Sequence, residues 1–359
     1  MSASHTHPPS AVLVYGAGGM GLRTVRALRQ RGVDVLALLD RQAQPGSVLE
    51  GLPVLSPQNW LAARHARGAT PPSVIAIHNP AHSVAQVQQD LQAQGFGPVH
   101  TPVDVCRWFP EALPDSYWLA DPRVYAEHTA DLNALSAMLA DDASRAVLQG
   151  IVALRAEGRY AALGAPEASQ YFPASLPRWP TPLRLVDCGA FDGDTLLAAQ
   201  AAGYAIDQAL CLEPDPRNYR QLVSLVRDQR IPAICLPCAV ARHACLLHFE
   251  AQGAGSSHVR ADGAVQVQAL GLDEALPAFA PSLLKMDIEG AEPDALEGAS
   301  ELIRRFQPGL AIAVYHHYRH LWEIPLLLQR WLPRHRYFLR AHAHNSFDVV
   351  LYVQPLPAT

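Results

Sequence analysis

Lysine is almost missing from this chain: of its 28 basic residues, 27 are arginine and one, Lys285, is lysine. A chain that uses arginine everywhere else and keeps one lysine has a place for a compact, flexible ammonium rather than a planar fork. Long apolar runs are missing too. None approaches the roughly 18 residues that span a bilayer, and no basic stretch followed by an apolar one opens the chain. A soluble, cytoplasmic protein with no membrane partner is expected. A basic face is lacking as well: 28 basic residues against 33 acidic ones leave a net charge of −5, which argues against a nucleic-acid partner. Cysteine is sparse and scattered (Cys106, Cys188, Cys211, Cys235, Cys238, Cys245), as suits a reducing compartment. Cys235, Cys238, His243 and Cys245 are ligand types. Their spacing lacks the long loop that separates the ligand pairs of a zinc finger, so a buried strand with small thiols is expected there.

What is there is core material. Hydrophobic residues make up 49% of the 359, too many residues for one ordinary domain. From residue 11 to about 105, short apolar runs ("AVLVYG", "VDVLALLD", "SVIAIHN") alternate with amphipathic stretches such as "GLRTVRALRQRG". Alternation of that kind gives a parallel sheet, so 11–110 reads as a small Rossmann-like α/β domain. Residues 115–182 read as a helical connector ending in a proline-rich linker, "YFPASLPRWPTP", suited to a lid beside a cofactor. Alternation resumes over 183–356, from "LRLVDCG" to a closing antiparallel pair, "RYFLRAH" with "FDVVLYV". The fold class is α/β: a doubly wound sheet with an antiparallel edge strand, preceded by the smaller domain and the connector.

Two glycine turns follow two strands. In the first, Gly16, Gly18 and Gly21 fit G-x-G-x-x-G, and Asp40 ends the next strand, where an acid can take ribose hydroxyls. The pattern predicts a nucleotide-type fold. It leaves open whether NAD, another nucleotide or no ligand binds, because the same turn also serves helix-on-sheet packing. In the second, "DCGAFDGDT", Asp187 ends the strand, Gly189 and Gly193 form the turn, and Thr195 opens a helix. Acidic Asp192 and Asp194 inside the turn would repel a pyrophosphate. A cationic cofactor without phosphate suits such a turn, and S-adenosylmethionine is one. Glu213, closing the next strand, is placed to accept both ribose hydroxyls.

These stretches, with "LEPDPRNYRQL", "LLKMDIEGAEPDALEGA", "AIAVYHHYRHLWEIP" and "NSFDVVLYV", resemble the successive motifs of the FkbM-type methyltransferases, a class I S-adenosylmethionine-dependent family, over about residues 130–354. The resemblance implies methylation of a hydroxyl on a sugar, glycan or polyketide-type small molecule. It puts the cofactor loop on Asp187, Gly189, Ala190, Phe191, Gly193 and Thr195, the ribose acid on Glu213, and the K-x-D-x-E motif on Lys285, Asp287 and Glu289. Phe191 stands where many members have asparagine.

Methyl transfer from a sulfonium to an alcohol needs alignment and the removal of one proton. In "LLKMDIEG" the residues Lys285, Asp287 and Glu289 alternate onto one side of a strand. Asp287 is the candidate base, or the holder of a base or a metal, with Lys285 balancing charge. His316, at the end of the next strand, is a candidate neutral imidazole base. His317, Trp322, Glu289 and Tyr171 are candidates for the acceptor pocket. Metal dependence and oligomeric state stay open. The competing readings are a NAD-dependent nucleotide-sugar enzyme working at the first loop and a ligand-sensing protein.

Overall fold

The computed structural model describes residues 7–63, 70–250, 258–259 and 265–356. The chain divides into two compact units: Met1–Leu132 with Ala146–Pro166 and Ala343–Phe347, and Asn133–Arg145 with Glu167–His342 and Asp348–Thr359.

In the first unit, β1 (Ala11–Tyr15), β2 (Asp34–Leu39), β3 (Val48–Leu49), β4 (Leu52–Leu55), β5 (Ser73–Ile75) and β6 (Val99–His100) form one sheet in the order β3-β4-β2-β1-β5-β6. All pairings are parallel except β3 with β4. β1 is a continuous apolar run because both of its faces are covered: Val12, Leu13 and Val14 are wholly buried. The helix Gly19–Gln30 buries Gly21, Thr24, Val25, Ala27 and Leu28, one face at helical spacing.

In the second unit, the strands are β7 (Leu183–Cys188), β8 (Ile206–Leu212), β9 (Ala233–Leu236), β10 (Cys238–Val240), β11 (Cys245–Glu250), β12 (His258–Val259), β13 (Val265–Leu270), β14 (Leu283–Met286), β15 (Gly309–Ala313), β16 (Arg336–Ala341) and β17 (Val349–Gln354). Seven of them form a sheet in the order β16-β17-β15-β14-β7-β8-β9. β9 through β15 pair in parallel, and β17, set between β15 and the outermost β16, runs antiparallel to both. The chain winds outward from β7 to β9 and then returns to β14 on its other side. The switch point is therefore the β7/β14 seam, at whose carboxyl end such sheets bind ligands.

"AICLPCAV" is two strands, not one. Pro237 has no N–H for a ladder, and it divides β9 from β10, which joins the separate sheet β10-β13-β11-β12. Cys235 and Cys238 are half-buried there and Cys245 is exposed. His243 Nδ1 sits 3.2 Å from Glu274 Oε1.

The connector expected over 115–182 is not a body of its own. Asn133–Arg145 packs with the second unit: Ala140 N donates to Tyr337 O at 2.8 Å, Leu339 N donates to Ser144 Oγ at 3.0 Å, and Arg340 grips Asp141 at 2.7 Å. Ala146–Pro166 packs with the first, where Arg155 Nε donates to Ser346 Oγ at 3.0 Å and its guanidinium lies 5.0 Å from the Trp118 ring. Ala343–Phe347, between β16 and β17, belong to the first unit as well. There Asn345 Oδ1 accepts from Val84 N at 3.0 Å, and Nδ2 donates to the carbonyls of Asn79 and His82.

The proline-rich segment is packed rather than lid-like. Tyr171, Phe172, Leu176 and Trp179 are all buried in the second unit's core. Trp179 Nε1 donates to Tyr171 O at 2.8 Å, and Tyr171 N donates to Tyr352 Oη at 3.1 Å. Aromatic side chains in a loop without a ladder of its own can be held by such backbone-to-side-chain bonds.

Candidate active site

The chain leaves β7 at Cys188 and turns at Gly189, whose φ is +75°. A Cβ there would lie 2.0 Å from Asp287 O, so only glycine lets the turn close against the end of β14. Gly193 (φ +97°) has a packing reason: a Cβ would meet Leu225 Cδ2 at 2.4 Å, on the helix Pro216–Asp228. Between them Phe191 takes a left-handed backbone (φ +47°) and donates its N–H to Glu213 Oε2 at 2.9 Å. The other oxygen, Oε1, accepts from Asp215 N at 2.8 Å. Burial pushes the Glu213 carboxyl up to about 7, against the pull of those two N–H groups.

Register places Lys285 on β14 beside Asp187 on β7, across the switch point. Both are buried, with Nζ 3.0 Å from Asp187 Oδ1 and 2.5 Å from Gly189 O. Burial would strip the proton from Lys285, but Asp187 and Asp287 hold it charged. Burial raises Asp187 to about 6 despite the ammonium. The one lysine thus ties the glycine turn to the sheet. A point charge fits between a carboxylate and a carbonyl where a guanidinium fork would not.

Past Met286 the strand ends, which differs from the longer strand expected. Glu289 (φ +57°) and Gly290 (φ +105°) turn the chain, yet Lys285, Asp287 and Glu289 still face one cleft. Asp287 Oδ2 accepts from Tyr171 Oη at 2.5 Å, and Oδ1 lies 3.3 Å from His316 Nε2. Glu289 Oε2 stands 3.7 Å from the same nitrogen. His316 Nδ1 is 2.8 Å from Glu292 Oε1, which also accepts from Ile288 N at 2.9 Å, and His320 Nδ1 is 3.4 Å from Glu292 Oε2.

Glu292 is wholly buried. Burial would raise its carboxyl, but His316 and His320 hold it well below the usual carboxylate range. For His316 burial would favour the neutral ring, yet Glu292, Asp287 and Glu289 raise it to about 10. The ring therefore carries its proton at neutral pH, opposite to the neutral imidazole expected from sequence. Asp348 stands close by, pushed up to about 6 by burial and by Asp287.

Gly189, Phe191 and Glu213, expected on the cofactor side, and Tyr171, Lys285, Asp287 and Glu289 line one cleft. Asp187, Ala190 and Thr195 are buried behind it, and His316 backs Asp287. Trp322 is 1% exposed and packs near Tyr318. His317 Nδ1 accepts from Arg319 N at 3.3 Å and does not line the cleft. Sequence reasoning passed over Glu292, although it stands inside the quoted "KMDIEGAE". It also passed over Tyr315, next to His316, and Asp348, although both stand inside the quoted "AIAVYHHYRHLWEIP" and "NSFDVVLYV".

The first glycine loop has its own explanation. Gly16 takes φ +114°, and a Cβ on Gly21 would sit 1.9 Å from Gly16 O, so close helix-on-sheet packing needs both. Asp40 braces the loop itself, with Oδ2 accepting from Ala17 N at 3.1 Å and Oδ1 from Gln42 N at 2.8 Å. Among the described residues no helix is long and apolar enough to cross a membrane.

A parallel sheet with one antiparallel strand inset at its edge, and a glycine turn and an acid at the ends of its first two strands, defines a class I-like methyltransferase fold. Residues 187–344 match the family model described as the methyltransferase FkbM domain. The fold is similar to that of the methyltransferase FkbM from Methylobacillus flagellatus KT, with a TM-score of 0.78 and 22% identity over 96% of this chain and 90% of that one. Precorrin 8w decarboxylase from Methanobacterium thermoautotrophicum is a remote likeness: TM-score 0.27 and 11% identity over 54% of this chain and 100% of that one. A search of curated proteins finds no match.

Proposed function

We propose that this methyltransferase uses S-adenosylmethionine to methylate a hydroxyl group on an uncharged polyhydroxylated acceptor, such as a sugar, glycan or polyketide-type molecule. The observation that carries the reading is the pairing of Glu213 with the glycine turn: a carboxylate at the end of β8, tied to the turn's backbone at Phe191, is what a ribose diol needs. The donor set fits the cofactor. Glu213 would hold the ribose, the turn at Gly189 would face the amino-acid portion, and the acid-rich cleft would suit a sulfonium. Bound there, the cofactor would supply the electrophilic methyl group.

The chain's own residues supply the rest. Lys285 holds the turn in place, and the acceptor hydroxyl would meet Asp287 and Glu289, with His316 behind them. Its proton would leave into this acidic cluster as the oxygen–methyl bond forms and the sulfur–methyl bond breaks. Asp194, Glu213, Asp287 and Glu289 face the cleft against Lys285, so phosphorylated or carboxylated acceptors would be repelled.

Calorimetric titration with S-adenosylhomocysteine and, separately, NAD tests the cofactor. Glu213→Ala should abolish binding of the homocysteine analogue and Asp40→Ala should leave it unchanged. Absence of analogue binding by the folded wild-type protein, or NAD binding lost in Asp40→Ala, would overturn the reading. Methyl-labelled cofactor with a panel of neutral polyols then reads out the acceptor, and label appearing on nitrogen or carbon would refute hydroxyl methylation.

A further inference from the structure

Phe191 is a costly residue where it stands. Its φ of +47° is left-handed backbone, which asparagine or glycine adopts with far less strain than a bulky side chain. The turn imposes that backbone: Gly189 closes against Asp287 O, and the Phe191 N–H is held by Glu213 Oε2 at 2.9 Å. Strain of this kind persists where something else is gained by it. Core packing does not supply the gain. Ala190, one position earlier, is buried in the second unit's core, whereas Phe191 is half-buried, outside that core and in the wall of the cleft. Among the described residues no guanidinium, ammonium or aromatic ring stacks on it. Lys285, which lines the same cleft, lies 5.1 Å from the centroid of the Tyr171 ring instead.

The place of Phe191 in the turn says what its ring would meet. In the reading above, the turn at Gly189 faces the amino-acid portion of the cofactor and Glu213 holds the ribose. The sulfonium is the atom that joins those two portions. Phe191 is two positions from Gly189 and is bonded to Glu213, so it occupies the wall between them. An aromatic face attracts a cation through its quadrupole, and more strongly where water is excluded. Once the methyl group has left, the sulfur is a neutral thioether, for which the same face has no such attraction.

We infer that Phe191 is a specificity-determining residue whose ring abuts the sulfonium and favours charged S-adenosylmethionine over neutral S-adenosylhomocysteine, so that fresh cofactor displaces spent. The inference rests on the cofactor reading above. It assigns a task that Glu213 cannot perform, because the ribose is common to both molecules. The carboxylates of Asp194, Glu213, Asp287 and Glu289 also favour a cation in the cleft, so loss of the ring reduces the preference without abolishing it.

The test is calorimetric titration of the full-length wild type, Phe191→Leu, Phe191→Tyr and Phe191→Asn with each of the two molecules. Leucine keeps bulk and backbone strain while removing the aromatic face. The ratio of S-adenosylmethionine to S-adenosylhomocysteine affinity should fall at least about threefold in Phe191→Leu and Phe191→Asn, through weaker binding of the sulfonium, and hold in Phe191→Tyr. Thermal melts without cofactor give a second readout: Phe191→Asn, relieved of strain, should melt at or above the wild-type temperature. A smaller change of ratio in Phe191→Leu, an equal loss in Phe191→Tyr, or a lower melting temperature for Phe191→Asn would overturn the inference. If the wild type binds both molecules and leucine leaves the ratio in place, only the task given to Phe191 falls. A folded wild type that binds neither removes the cofactor reading, and the inference with it.

Discussion

Glu213 is a carboxylate that folding has made reluctant to ionise. Its pKa rises from an ordinary 4.5 to about 7, chiefly through burial. A raised folded-state pKa gives stability that is fully present below pH 4.5 and is lost as pH rises through 7. The apo protein should therefore lose on the order of a few kcal/mol across that window, and Glu213→Gln should remove the loss. Thermal melts of wild type and Glu213→Gln are expected to coincide at pH 5 and to favour the variant by a few degrees at pH 8. Binding should run the other way. A charged carboxylate is the better acceptor for two ribose hydroxyls, so affinity for S-adenosylhomocysteine should weaken as pH falls below 7. A flat calorimetric profile from pH 5.5 to 8.5 would contradict this role. The same burial logic, with the opposite outcome, governs His316, where neighbouring carboxylates outweigh desolvation.

Among the elements, β15 and the proline-rich segment meet at one close contact. A Cβ on Gly309 would sit 2.6 Å from two carbons of the Trp179 ring. That ring has little freedom to retreat, because Trp179 N donates to Tyr204 Oη and Nε1 donates to Tyr171 O. Gly309→Ala should cost about 1–3 kcal/mol by overpacking and lower the melting temperature by several degrees. It should also weaken methyl transfer, because Trp179 holds Tyr171, and Tyr171 holds Asp287. A variant with wild-type melting behaviour would show that the tryptophan can move. The alternation of β7 to β15 with helices was readable from apolar periodicity. The division at Pro237, and the early end of β14, came from backbone events that periodicity does not register.

Across the whole molecule, the second unit does not begin where its first strand does. Arg340 is 3% exposed and pairs with Asp141 at 2.7 Å and Glu167 at 3.0 Å, residues that precede β7 by at least sixteen positions. A fragment of residues 183–356 would strip that guanidinium of both carboxylates and leave it the Leu339 carbonyl at 2.9 Å, and breaking a buried ion pair costs about 3–5 kcal/mol. It should fail to give a cooperative melt. Arg340 also lowers Asp141 to about 2 against the opposing effect of burial. A depressed folded pKa gives stability that is present above about 3.8 and lost as pH falls through 2. Asp141→Asn should accordingly destabilise the full chain at pH 7, and the gap to wild type should close between pH 4 and pH 2 in denaturant titrations.

The sequence by itself determined the α/β class, the two glycine turns, and the positions of Asp187, Glu213, Lys285 and Asp287, because strand ends and turn glycines are local in the chain. It also marked Lys285, through the absence of any other lysine. Only the tertiary structure decided what these residues face. Glu292 and Tyr171 reach Asp287 and His316 from separate segments, and the protonation of His316 follows from three carboxylates converging on one buried ring. Distance in the chain carries no record of such convergence. The glycine pattern around Gly16 is the converse case: its spacing is that of a nucleotide loop, while the packing of Gly21 on Gly16, and Asp40's own bonds to the loop, account for those two glycines and the acid locally, and a Cβ on Gly18 would meet nothing.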